Sequence, residues 1–134
     1  VAVRYLLDTN IVSFHLRQSS VALQRRLRRV RAASVALSVV TEMEIRYGLA
    51  RNPSLRIAPL VEAFLGVVTI LPLDSRVATT YARVRAGLEA RGTPIGPLDL
   101  MIGAHALAIG ATLITSDSRE FRRIPGLRVV DWSR

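Results

Sequence analysis

The sequence predicts an α/β fold: a three-layer α/β/α sandwich around a mostly parallel sheet of about five strands, in a single domain over residues 1–134. Two observations predict it. Short β-branched runs alternate with helical segments from end to end. Most of those runs are continuously apolar, as strands covered by helices on both faces are. Half of the residues are hydrophobic, which suffices for one well-formed core.

Val3 and Tyr5-Leu6-Leu7 form the first expected strand, and Asp8-Thr9-Asn10 the turn into a short helix over Ile11–Leu16. Val21–Arg31 reads as a second helix, with Leu23, Leu27 and Val30 on one side and five arginines crowding the rest. Ser34–Val40 is a second strand, and Thr41-Glu42-Met43-Glu44 opens a helix through Ala50 that Asn52-Pro53 closes. Leu55–Leu65 reads as an apolar helix, and Val67–Leu71 as a third strand ended by Pro72. Asp74–Ala90 is a long helix with Val77, Tyr81, Val84 and Leu88 at helical spacing, stopped by Gly92. Thr93–Pro97 is a rigid loop, and Leu98–Ile109 an apolar helix ending at Gly110. Ala111–Thr115 is a fourth strand, Ser116–Phe121 turns into a short helix, and Leu127–Val130 is a fifth strand before the tail Asp131–Arg134.

Composition narrows the function. No apolar run is long enough to span a bilayer, and Arg4 and Asp8 interrupt the N-terminus too early for a signal peptide. The expectation is a cytoplasmic protein without a membrane partner. Cysteine is absent, which excludes disulfides and thiolate metal sites, and two histidines make a zinc site improbable. The net charge is +9, and all 19 basic residues are Arg. Arginine in place of lysine reads as genomic base composition. The charge itself attracts polyanions, nucleic acid above all, although a membrane surface or an acidic protein would serve nearly as well.

The ten acidic residues each have a structural explanation to set against a functional one. Asp8 fits a helix cap, Thr41-x-x-Glu44 a capping box, Asp99 the first turn of a helix, and Asp117-x-x-Glu120 another capping pattern. Taken singly, each is best read that way. Together they follow strands or open helices where a parallel sheet gathers its strand ends. Four carboxylates converging there require a cation or raised pKa values. Oxygen ligands alone suit Mg²⁺ or Mn²⁺, so Asp8, Glu44, Asp99 and Asp117 are the expected metal-holding and catalytic set. An acidic notch in a strongly basic chain points to phosphodiester hydrolysis. Thr9, Asn10, Thr115 and Ser116 flank the notch and would orient waters, a role that turn chemistry rivals.

The remaining acids fare less well. Asp74 reads as the cap of the long helix, and Glu89 as a surface partner of Arg85. Glu42 points away from Glu44, because two residues turn a helix by roughly 200°. His105 reads as a satisfied imidazole on an apolar helix. No nucleophile elbow, Walker loop or dinucleotide fingerprint is present.

These motifs resemble a known family. Leu6-Leu7-Asp8-Thr9-Asn10 resembles the opening motif of PIN-domain ribonucleases, and Thr41–Gly48 their second, with Glu44 as its acid and Gly48 allowing close helix approach. Ile95–Ala106 resembles the third, with Asp99 as its acid, and Leu113–Phe121 the fourth, where Asp117 matches best and Glu120 is the alternative that would share or replace its role. Pro125-Gly126-Leu127-Arg128-Val129 and Trp132 are similar to the VapC toxin branch. The resemblance implies a PIN-like fold and a Mg²⁺- or Mn²⁺-dependent endoribonuclease acting on structured RNA such as tRNA. It also implies a toxin role, a cognate antitoxin of the VapB kind that blocks the site, and commonly a homodimer. Toxin, antitoxin and RNA over DNA come from the resemblance alone. Two other classes stay open on the residues. One is a non-catalytic basic nucleic-acid-binding α/β module. The other is a receiver-type phosphotransfer domain, disfavoured because no acidic pair precedes Asp8 and no Lys exists.

Overall fold

A computed structural model describes residues 3–53 and 56–134. The element order is β1 (Tyr5–Leu7), α1 (Thr9–Arg17), α2 (Val21–Arg29), β2 (Val35–Ser38), α3 (Val39–Arg51), α4 (Ala58–Val67), β3 (Thr69–Leu71), α5 (Ser75–Ala90), α6 (Pro97–Ile109), β4 (Thr112–Ile114), α7 (Ser118–Phe121) and β5 (Val129–Val130). The five strands form one sheet in the order β3-β2-β1-β4-β5, and every neighbouring pair is parallel.

Alternation along each strand divides the interior in two. Leu6, Ala36 and Leu113 face a core built with Val84, Leu88, Leu100 and Phe121, from α5, α6 and α7. Leu7, Val35, Leu37 and Ile114 face the opposite core, built with Ile11, Leu23, Val61 and Leu65, from α1, α2 and α4. This is the predicted three-layer arrangement. α3 sends Val40 to the first core and Ile45 and Leu49 to the second, so it lies across the end of the sheet.

The order of the strands positions the site. From β1 the chain winds outward through β2 to β3 with its helices on one face. It then returns past β1 to β4 with helices on the other. The reversal opens a crevice between the carboxyl ends of β1 and β4, where ligands bind in open α/β sheets.

Several boundaries differ from expectation, each for a local reason. The second strand stops at Ser38 rather than Val40, because the Ser38 hydroxyl accepts the Val40 N–H at 3.1 Å and starts α3 there. A cap thus overrides the β preference of Val39 and Val40. The first helix begins at Thr9, two residues early, because Asp8 caps it. The second ends at Arg29, and a 3₁₀ turn over Ala32–Ser34 leads into β2. Val67 closes α4 instead of opening a strand. The expected start of that helix at Leu55 lies outside the described residues. Asp74 caps α5 through bonds from the Arg76 and Val77 N–H groups, as expected. Pro97 opens α6 and Gly110, at φ 71°, closes it, also as expected.

Gly48 does not serve close helix approach: nothing would meet a side chain there. That role falls to Gly103 on α6, where a Cβ would stand 2.4 Å from Ile124 Cδ1 and 3.4 Å from Phe121. Its bare backbone lets the segment after β4 pack directly on α6.

Candidate active site

Asp8 leaves the end of β1 nearly enclosed, 5% exposed. Its N–H donates to the Ile114 carbonyl at 3.0 Å, tying the ends of β1 and β4 together. Its Oδ1 accepts the Ile11 N–H at 2.9 Å, so the capping role is real. The Thr115 hydroxyl also bonds this carboxylate, and Thr115 Oγ1 accepts the Asp117 N–H at 3.0 Å. Thr115 therefore links the carboxylate after β1 to the backbone that carries the carboxylate after β4.

Glu44 reaches the same place from α3, where Thr9 Oγ1 donates to its Oε1 at 2.6 Å. The capping-box explanation for Glu44 fails. Ser38 takes the cap, and Thr41 sits fully buried inside the helix with a hydroxyl that has no partner among the described residues. The capping explanation for Asp117 fails likewise, since its side chain makes no cap bond to α7. Asp99 stands in the first turn of α6, half-buried.

Electrostatics shows which acids share the site. Burial pushes the Asp8 carboxyl up to about 6 against the pull of its two hydrogen bonds, and the charges of Glu44 and Asp117 add to the rise. Burial also pushes Asp99 up to about 6, helped by the charges of Glu120, Glu44, Asp8 and Asp117. Four other carboxylates thus act on Asp99, and two of them also act on Asp8. Glu120 is the largest charge acting on Asp99, a role for which its sequence position was only a weak signal.

The other five acids have different company. Glu42 and Glu62 pair with Arg46 at 2.8 and 3.2 Å, Asp74 with Arg76 at 3.4 Å, Glu89 with Arg85 at 3.1 Å and Asp131 with Arg134 at 3.2 Å. Among the described residues, no notch carboxylate forms an ion pair with arginine. Glu42, Asp74 and Glu89 thus occupy the places expected of them. His105 is buried, its Nδ1 2.8 Å from Ser38 Oγ, and burial lowers its pKa. It is a structural link between α6 and the start of α3. Asn10 and Ser116 make no hydrogen bond to the carboxylates among the described residues, whereas Thr9 and Thr115 do.

The donor set fits a hard divalent cation: oxygens only, like charges gathered, and no arginine to neutralise them. Among the described residues no three acidic or imidazole side chains already enclose an ion position. Arg123 Nη1 donates at 2.9 Å to the Pro94 carbonyl in the loop before Asp99.

The PIN domain model matches residues 5–127. The chain is 35% identical over 133 residues to the tRNA(fMet)-specific endonuclease VapC of Shigella flexneri, covering 98% of this chain and 99% of that protein. It is 33% identical to ribonuclease VapC2 of Haemophilus influenzae (strain Rd), covering 97% and 98%. Among solved structures it resembles DNA-bound VapBC from Salmonella typhimurium, with a TM-score of 0.88 and 34% identity over 97% of this chain and 98% of that one. VapBC2 from Rickettsia felis, bound to a promoter DNA fragment, gives a TM-score of 0.87 at 30% identity, covering 96% and 98%.

Proposed function

The chain belongs to the PIN-domain family, and on that premise we propose that it is the endoribonuclease toxin of a toxin–antitoxin pair. The observation that carries the reading is the gathering of Asp8, Glu44, Asp99, Asp117 and Glu120 at the switch point of the sheet, with no arginine partner among the described residues. The proposed cofactor is Mg²⁺ or Mn²⁺, held first by Asp8 and Asp99, with Glu44 and Asp117 acting directly or through water. The ion supplies activation of water and neutralisation of charge at the scissile phosphate.

The chain's own groups do the rest. Thr115 and the Ile11 N–H hold the Asp8 carboxylate in one orientation, and Thr9 does the same for Glu44. Glu120 adds negative charge beside Asp99 and keeps a cation favoured there. Arg123 holds the loop that presents Asp99. The substrate class is structured RNA such as tRNA, in keeping with the curated name of the Shigella relative.

A VapB-like antitoxin is the proposed regulator, as in the VapBC complexes that share this fold. Its basic residue would enter the notch, since a guanidinium pairs with carboxylates in bidentate fashion. An apolar groove lined by Val12, Leu16, Ile45, Leu49 and Val61 begins beside Thr9 and Glu44 and would take flanking apolar residues. Met43 and Tyr47 on α3, 58% and 64% exposed, offer apolar surface for a homodimer. Cytoplasmic location is proposed with this role; no described helix is long and apolar enough to cross a membrane.

The test is cleavage of a tRNA pool by the purified protein with Mg²⁺ or Mn²⁺, followed by sequencing of the new RNA ends. The expected result is cleavage at a few positions, abolished by chelation and by Asp99→Asn. Binding without cleavage under any divalent metal would favour the basic binding module instead.

A further inference from the structure

The edge of the sheet opposite the notch is basic. Arg4 immediately precedes β1, Arg128 precedes β5, and Arg31 precedes the turn into β2. Backbone bonds bring these positions together. The Arg4 N–H donates to the Ser34 carbonyl at 2.8 Å, and the Ser34 N–H to the Arg31 carbonyl at 2.9 Å. The Thr112 N–H donates to the Arg4 carbonyl at 2.9 Å, and the Leu113 N–H to the Arg128 carbonyl at 2.8 Å. α2 runs toward the same edge and ends on Arg28 and Arg29.

The guanidiniums here are organised without being neutralised. Arg4 lies over the Tyr5 ring at 5.8 Å, Tyr5 packs against Trp132 at 4.8 Å, and Arg26 lies over Trp132 at 5.8 Å. One aromatic pair therefore joins a guanidinium before β1 to one on α2. Arg128 Nη2 donates to the Gly110 carbonyl at 2.9 Å. Arg4, Arg26, Arg29, Arg31 and Arg128 are exposed, and none pairs with a carboxylate among the described residues. A guanidinium stacked on a ring keeps its in-plane N–H groups for a phosphate, and its fork is already oriented.

We infer that this edge is a second phosphate-binding surface, and that the substrate is a folded RNA large enough to touch it while its scissile bond lies in the notch. The inference rests on the ribonuclease reading and specifies its substrate. A strand length separates the two edges, on the order of 10–20 Å with the flanking turns. A dinucleotide seated at the notch, with its single phosphodiester, does not cross that distance, whereas a tRNA-sized molecule does. Negative charge at one edge and positive at the other also gives the RNA a preferred orientation.

The experiment compares two RNAs across a salt series. Arg4→Ala, Arg26→Ala and Arg29→Ala are combined in an Asp99→Asn background, which removes cleavage, and binding is read by fluorescence anisotropy. Affinity for a tRNA-sized folded RNA is expected to fall about tenfold or more, and the slope of log affinity against log salt by about two to three. Dinucleotide binding is expected to stay unchanged, as is dinucleotide cleavage when the triple change is made with Asp99 intact. Lysine at the same three positions should restore most of the folded-RNA affinity, which separates lost charge from lost fold. Unchanged folded-RNA affinity and slope would overturn the inference, as would equal loss for both RNAs. Loss of polyglutamate binding with RNA binding intact would overturn it in favour of an acidic protein partner. Selective loss of folded-RNA binding in a protein that cleaves neither RNA would support this surface while removing the ribonuclease reading.

Discussion

The carboxylates of this chain occupy two regions with opposite surroundings. On the outer helices and the C-terminal tail, Glu42, Glu62, Asp74, Glu89 and Asp131 each touch an arginine. In the notch the carboxylates meet hydroxyls, backbone N–H groups and one another's charge, and among the described residues none pairs with an arginine. With 19 arginines in the chain, cations are not scarce. The notch acids are unpaired because strand ends and helix starts deliver them to a partly enclosed crevice that arginine side chains do not enter. The exposed pairs add little stability, since water already screens them. The notch costs stability, because it holds like charges in a poorly solvated place. Such an arrangement persists where function needs it.

The sharpest break in that comparison is removal of one notch charge. Asp99→Asn is expected to lower RNA cleavage about a thousandfold, the scale of losing a preorganised electrostatic group. Mn²⁺ affinity should fall strongly in titration calorimetry. Asp8→Asn should do the same without unfolding the protein, because Asn caps a helix as well as Asp. Unchanged Mn²⁺ affinity in the double variant would place the metal elsewhere.

Glu44→Gln comes next. Thr9 can donate to Gln as it does to Glu, so the geometry is kept and only the charge is lost. Cleavage should drop about a hundredfold. The melting temperature of the metal-free protein should hold or rise, since repulsion is relieved. Full activity would return Glu44 to a structural role.

A smaller effect separates the regions by pH. Asp8 and Asp99 have folded pKa values raised to about 6 from 3.8. Their destabilisation is fully present above about pH 6 and is relieved as they take up protons between about 6 and 4. The metal-free melting temperature should therefore rise on acidification from neutral pH to about 5, while metal affinity falls. Asp74 has the opposite sign: its pKa is lowered by the Val77 N–H and the Arg76 charge. Its contribution is lost only on acidification below the ordinary carboxylate range. A monotonic fall in stability from pH 7 to 5 would contradict the notch assignment.

The smallest expected change is the control. Glu62→Gln and Glu89→Gln each remove an exposed arginine pair. Each should leave the thermal unfolding midpoint and cleavage unchanged, because solvent screens such exposed pairs. A loss of activity in either would mean that the two regions are coupled.

Much of the site is legible in sequence because its parts are local. Asp8 follows an apolar run and precedes a helix, and Asp99 follows Pro97 in a first helical turn. Those placements depend on hydrogen bonds within a few residues, so the pattern of side chains reveals them. The same logic misread Thr41-x-x-Glu44. The motif is a capping box in spacing, but the helix starts three residues earlier at a Ser38 cap. Two adjacent sequences could cap α3, and the sheet register that ends β2 at Ser38 chose between them.

What the sequence alone determined is the alternation of strands and helices, and the delivery of Asp8 to a strand end and of Asp99 to a first helical turn. Tertiary structure decided what each acid meets. The strand order sets β1 beside β4, so that Asp8 and Asp117 share Thr115. Packing gives the close approach to Gly103 and leaves Gly48 in open space. Folding also stacks Arg4 and Arg26 on rings 127 positions apart, Tyr5 and Trp132. The physical reason is range. Caps and periodicity act across one turn of chain, whereas pairing, burial and mutual repulsion depend on neighbours that only the closed fold supplies.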